Sequence, residues 1–153
     1  MTDQDRIKQL LERFPGNSLT AAPDNGVLSV TIRPENIALV CSFLSGTLKY
    51  DYLHFLTCID RTDKLEMRYY LYSYSHQGTL VIKTDIARLN GKISSVSSIW
   101  KTAEWHERET SELFGVVFEG HPDPRRLLLD DDMDGHPLLK DFTHKVLVKL
   151  PKA

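Results

Sequence analysis

The stretch YDYLHFLTCIDRTDKLEMRYYLYSYSHQGTLVIKTDIA, residues 50–87, decides the fold. It is dense in aromatic and β-branched side chains, which suit a pleated, half-buried surface. Turn-forming residues break it at Asp60 to Lys64 and again at His76-Gln77-Gly78. Leu53, Phe55 and Ile59 form one alternating set, Met67, Tyr69 and Leu71 a second, and Leu80, Ile82 and Ile86 a third. Side chains two apart share one face of a strand, so the spacing predicts three hairpin-connected strands in an antiparallel sheet with one buried face.

Upstream, Ile7, Leu10, Leu11 and Phe14 recur at helical spacing until Pro15-Gly16-Asn17 ends the pattern. After the Asn25-Gly26 turn signal, Leu28, Val30 and Ile32 alternate with Ser29 and Thr31 as in a strand. Pro34 suits a first helical position, and Ile37, Val40, Cys41 and Leu44 line one face of the helix it opens, with Gly46 as the stop. Downstream, Asn90-Gly91 closes the strand block. Ser94-Ser95 reads as the cap of a helix carrying Val96, Ile99 and Trp100, and a further helix over 103–114 leads to Gly115. From residue 119 the prolines at 122, 124, 137 and 151, paired arginines and an acidic run replace any period. The expected architecture is α+β: a two-layer domain, residues 1–118, with a mainly antiparallel sheet packed by helices, followed by an extended partner-binding tail, 119–153. A tail of that length without a core of its own is ordinarily functional or held by something else.

With 153 residues, 41% hydrophobic and 26% charged, the chain can bury one core and does not read as disordered. Its net charge of -2 lacks the basic field that draws proteins to phosphate backbones, so nucleic acid is a poor partner. No basic leader precedes an apolar run, and no apolar stretch reaches bilayer length; the expectation is a soluble chain in the cytoplasm. The two cysteines, Cys41 and Cys58, read as reduced core residues and are too few to hold an iron-sulfur cluster.

The helix over 103–114 carries Glu104, Glu107, Glu109 and Glu112 around Arg108. Glu104 and Glu112 flank Arg108 at four-residue spacing, as in an exposed ion-pair ladder. Glu109 falls between Trp105 and Leu113 on the apolar side, where an unpaired carboxylate is costly, so it calls for an arginine from the tail or from another subunit. Paired carboxylates suggest acid/base chemistry, yet no nucleophile or pocket accompanies them. His106-Glu107 opens a zinc-protease motif that fails because Thr110 stands where the second histidine must coordinate. His121, His136 and His144 are too scattered to suggest a metal site. Asp130 to Gly135, with Asp141 in twelfth place, matches an EF-hand loop in letter, while Pro137 and the absent flanking helices oppose it; calcium binding stays as a distant alternative. Arg125-Arg126 beside Leu127-Leu128-Leu129 combines guanidinium forks with apolar anchors, a mixture typical of protein interfaces.

Glu107-Arg108-Glu109, Glu112, Leu113-Phe114, His121, Arg125, Leu127 and Leu128 at their spacing resemble the signature of the thirty-kilodalton subunit family of respiratory complex I, the C-type subunits of NADH-quinone oxidoreductase. Glu119 to Asp123 and Asp134 to Asp141 resemble that family's tail. The resemblance implies a small α+β domain with no redox centre. Its tail would run along the large, forty-nine-kilodalton (D-type) subunit in the hydrophilic arm that carries electrons from NADH to quinone. NADH, flavin, iron-sulfur clusters and quinone are then expected on partner subunits. The complex would hold the chain as a peripheral subunit at the cytoplasmic face of the cell membrane. In this reading Glu107, Arg108, Glu109 and Glu112 organise the root of the tail, and His121, Arg125, Arg126, His136 and Asp141 fix its path. Related subunits occur in membrane-bound nickel-iron hydrogenases and in deazaflavin- or ferredoxin-linked complexes, whose donor-binding residues lie on other chains.

Overall fold

In the computed structural model the described residues are 3–15, 20–24 and 26–143. Gly16, Asn17, Asn25, His144 and Pro151, which the sequence reading used, lie outside them. The chain runs α1 (Asp3–Arg13), β1 (Thr20–Asp24), β2 (Val27–Thr31), a single 3-10 turn at Pro34–Asn36, and α2 (Ile37–Gly46). It continues through β3 (Tyr52–Asp60), β4 (Lys64–Tyr72), β5 (Thr79–Ala87), β6 (Lys92–Ser94), α3 (Ala103–Phe114) and β7 (Val117–Glu119). Five strands form one sheet in the order β1-β2-β5-β4-β3, antiparallel except where β2 lies parallel to β5. The two-layer α+β arrangement is the one the strand and helix periods call for. The inner face of the sheet presents Leu53, Leu65, Met67, Tyr69, Leu71, Leu80 and Ile82, all fully buried. Against it pack Ile7 and Leu10 of α1 and Ile37, Val40, Cys41 and Leu44 of α2.

Both hairpin turns fall where the sequence breaks. Arg61 N–H returns to Lys64 O at 2.9 Å, and Ser73 N–H to Gly78 O at 3.0 Å. At Asn90-Gly91 only glycine fits, because a Cβ on Gly91 would lie 2.3 Å from the Ala87 carbonyl oxygen. Cys41 and Cys58 are free and buried, as expected. Burial, helped by the nearby Asp60 carboxylate, pushes the Cys58 thiol up to about 12, which leaves it unreactive.

Three features differ from the sequence reading. A bulge between Leu53 and Phe55 shifts the parity of β3, so Leu56, Cys58 and Asp60 face inward. Phe55 lies on the outer face, stacked on Tyr70 at 4.0 Å between ring centroids. One inserted residue moves every later side chain across the pleat. The helix expected from Ser94-Ser95 is absent: β6 ends there and turns carry the chain to α3. Ser95 spends its hydroxyl on Glu107 instead of a helix end. Strand β7 also forms, parallel to β6, so the expected boundary at 118/119 falls inside a strand.

Candidate functional site

Two long-range bonds seat the turn that leads into α3 against the start of β3: Trp100 Nε1–H donates to Tyr50 O at 3.1 Å, and the Thr102 hydroxyl to Leu53 O at 3.0 Å. The inward face of the helix is Ala103, Glu107, Thr110 and Phe114, spaced at the helical repeat. The face assigned to the core is only partly inward: Leu113 packs, partly buried, against the core, while Trp105 turns to solvent. Trp105 is 59% exposed, and the Glu109 side chain is half-buried with no hydrogen bond or ion pair to a described residue. The arginine expected beside Glu109 is thus not found among the described residues. The helix ends on Gly115 in the left-handed region, φ 78°, whose N–H caps Ser111 O at 2.9 Å.

Glu107 is fully buried. Its carboxylate accepts Val96 N–H at 2.7 Å and the Ser95 hydroxyl at 2.6 Å. Burial raises its pKa, and the two donors and His121 oppose that rise. The His121 ring is 2% exposed and its Nε2 lies 3.8 Å from the Glu107 carboxylate. Nδ1 of His121 accepts Asp123 N–H at 3.0 Å, so Nε2 carries the ring proton of the neutral form and donates to Glu104 O at 3.0 Å. One histidine thus ties the first residues after β7 to the first turn of α3.

The expected ladder of Glu104, Arg108 and Glu112 does not form. Glu104 pairs with Lys101 at 2.8 Å. The Arg108 guanidinium donates to the carbonyl oxygens of Arg125 and Arg126, each at 2.7 Å, and lies over the Trp105 ring. Glu112, 7% exposed, accepts three consecutive backbone donors: Leu127 N–H at 3.0 Å, Leu128 N–H at 2.7 Å and Leu129 N–H at 3.2 Å. Neighbouring peptides thus have their carbonyls held by a cation and their N–H groups by an anion, one helical turn apart. Hydrogen bonds to ionised groups each contribute about 1.5–3 kcal/mol, which suffices to order a segment that has no helix or strand. Arg126 donates to Asp130 O and to Met133 O, closing the next turn, while Arg125 pairs with Asp123 at 2.7 Å.

Further along, His136 Nδ1 lies 2.8 Å from Glu112 O, and Leu138 N–H bonds Leu113 O at 3.1 Å. The His136 ring occupies the space beside Gly115, where any Cβ would come within 2.7 Å of it. Asp141 is carried to the far end of the sheet. There Arg88 forks between Asp141, at 2.6 and 3.1 Å, and the buried Asp60, at 2.8 and 2.9 Å. Asp60 also accepts Lys140 N–H at 2.9 Å. The Arg88 guanidinium and the donated N–H groups hold the Asp60 carboxyl far below the usual range. Sequence reading missed Asp60 and Arg88. The signal for Asp60 was its place two residues beyond Cys58, which points inward only once the bulge is known.

Of the residues singled out from sequence, Glu107, Arg108, Glu112, His121, Arg125, Arg126, Leu127, Leu128 and His136 cluster around α3. Asp141 sits apart at the sheet end, and Glu109 lies half-buried on α3. That division removes the calcium reading, because Asp141, which should complete the loop with Asp130, is committed to Arg88. It also counts against acid/base catalysis. The space beside Glu107 and His121 is about 170 Å³, small against ligand pockets, and the carboxylate's oxygens are already engaged by Val96 and Ser95.

Fold and site together define a class: a two-layer α+β domain in which α3 anchors the arm that follows it through charged side chains bonded to backbone. Residues 30–146 match the model of the family described as respiratory-chain NADH dehydrogenase, 30 Kd subunit. The chain is 38% identical over 140 residues to the C-type subunit of NADH-quinone oxidoreductase from Geobacter metallireducens, covering 89% of this chain and 86% of that one. It is 35% identical to the C-type subunit of F(420)H(2) dehydrogenase from Methanosarcina mazei, over 89% of each. Two solved structures share the fold. One is the trypsin-resistant fragment of Nqo5, with TM-score 0.67 and 20% identity, covering 78% of this chain and 97% of that one. The other is a chain of the membrane-bound sulfane sulfur reductase, an archaeal respiratory membrane complex, with TM-score 0.79 and 22% identity, covering 98% and 95%. The chain belongs to the thirty-kilodalton subunit family of respiratory-chain NADH dehydrogenase, that is, of complex I and related membrane-bound respiratory complexes.

Proposed function

We propose that this chain is a structural and assembly subunit, free of redox cofactors, in the hydrophilic arm of an NADH-quinone oxidoreductase. Its C-terminal arm engages the large, forty-nine-kilodalton-type subunit there, and NADH, flavin, iron-sulfur clusters and quinone are bound by other chains. The enzyme transfers electrons from NADH to quinone and couples this to proton translocation. The chain itself contributes position rather than chemistry, at the cytoplasmic face of the membrane and through the complex alone. The observation that carries this reading is the treatment of residues 125–129. Arg108 and Glu112 fix their backbone, while the Leu128 side chain stays 64% exposed. A leucine held still in water is an anchor awaiting a surface. Co-expression with that large subunit is expected to slow trypsin cleavage within residues 120–143 relative to the isolated chain. Equal cleavage in both preparations sinks the proposal.

The relationship to the Methanosarcina protein motivates a second reading, the equivalent subunit of another complex I-like oxidoreductase; the resemblance of the signature residues extends that reading to membrane-bound nickel-iron hydrogenases. The coding sequences adjacent to this one discriminate, since genes for NADH-binding chains beside it support the first reading and genes for a hydrogenase or deazaflavin-linked chain the second.

A further inference from the structure

Resting on that reading of the arm as the docking element, we propose that residues 126–138 form a pre-built Ω-loop that inserts Leu128 and Leu138 into an apolar groove on the partner rimmed by arginine and lysine.

Ω-loops are compact surface loops whose ends lie close together, and this one meets the definition through side-chain staples. Its entry segment is bonded to the Glu112 carboxylate through three N–H groups. Its exit is bonded to the same turn of α3 through His136 to Glu112 O and Leu138 N–H to Leu113 O. Arg126 ties the interior to the Asp130 and Met133 carbonyls, and Met133 N–H returns to Asp130 O at 3.1 Å. Leu128 and Leu138, 64% and 51% exposed, therefore stand at the two feet of the loop on a backbone that is already ordered. Exposed leucines are commonplace on flexible loops, but here the ordering cost of binding has been met before the partner arrives.

Charge then selects the partner. The tip carries Asp130, Asp131, Asp132 and Asp134, all exposed and none in a side-chain hydrogen bond or ion pair with a described residue. The one cation within the loop, Arg126, is spent on carbonyl oxygens. A concentrated negative tip above two apolar anchors complements a groove with a cationic rim, and such complementarity raises the association rate at low salt.

The test measures binding of the full chain to the remaining hydrophilic-arm subunits, co-expressed without it and purified together. Leu128→Asp with Leu138→Asp should weaken affinity at least tenfold, mainly through faster dissociation. Asn at positions 130, 131, 132 and 134 should slow association several-fold and flatten its dependence on salt. Tyr74→Ser, at the end of the sheet near Tyr52 and Tyr72, is the control and should bind as the parent does. Unchanged amide protection of β4 and β5 certifies that each variant is folded. If the parent binds and both loop variants stay within twofold of it, this inference is overturned while the docking role survives. Faster association of the Asn variant would likewise overturn it, by requiring an acidic partner. Failure of the parent itself to bind refutes the docking reading and this inference with it.

Discussion

At the level of single residues, the glutamates of α3 have the character their neighbours impose. Glu107 and Glu112 are both buried, yet one receives its donors from the loop before the helix and the other from the arm after it. Glu107→Ala leaves the Val96 N–H and the Ser95 hydroxyl without their acceptor and is expected to cost about 2–4 kcal/mol of stability. Glu107→Gln keeps an oxygen for Val96 and gives Ser95 a donor in place of an acceptor, so it should be close to neutral. Its pH dependence carries the sign. Burial, the largest influence, raises the folded-state pKa of Glu107, so the folded chain holds that proton more tightly than the unfolded chain. The contribution is present at low pH and lost as pH rises through the folded value. Thermal unfolding of the Gln variant should therefore match or exceed the parent at pH 7.5 and lose ground to it toward pH 4.5; the opposite order contradicts the assignment. The sequence displayed these carboxylates and their spacing. It hid their partners, because an arm with no period of its own leaves no register from which to place residues 127–129 against Glu112.

Elements were legible in proportion to the regularity of their period. The α3 boundaries follow from its 100° step and Gly115, and β4 and β5 from strict alternation. Strand β3 defeats the same rule because the bulge near Leu53 changes parity within the strand. Substitutions separate the two registers. Leu56→Ala, at a position 4% exposed, should cost about 2–5 kcal/mol, whereas Phe55→Ala forfeits an outer-face stacking contact of about 0.5–1.5 kcal/mol. Chemical denaturation of the pair checks this, and a larger loss at Phe55 restores the unbulged strand. The segment after Ser94 misled for a different reason. Its serines and apolar residues satisfy a helix start, but the buried Glu107 takes the serine hydroxyl that a cap would use.

Across the whole molecule, the arm is held at two distant places: polar groups of α3, and the Asp60–Arg88–Asp141 cluster at the sheet end. Arg88 and the donated N–H groups lower the pKa of Asp60 and Asp141, so the clamp is fully present above the ordinary aspartate range and is lost as pH falls through the folded-state values. Arg88→Ala should raise amide exchange at residues 140–142 at neutral pH without altering residues 127–129. The parent should show the same loss only as pH falls below about 4. Exchange that spreads along the whole arm in the variant would mean that the two anchorages are one. The sequence announced the arm through its prolines and broken period. The second anchorage stayed hidden, since it joins residues 80 positions apart.

That separation orders events during synthesis. At roughly 5–20 residues per second, Lys140 is added about 4–16 s after Asp60. Arg88 follows Asp60 by 28 positions, so only in the later part of that interval do the two pair at the sheet end without Asp141. Closure of the clamp thus comes after the strands that carry Asp60 and lead into Arg88 have been made, and it reports that the chain has been extended through residue 141.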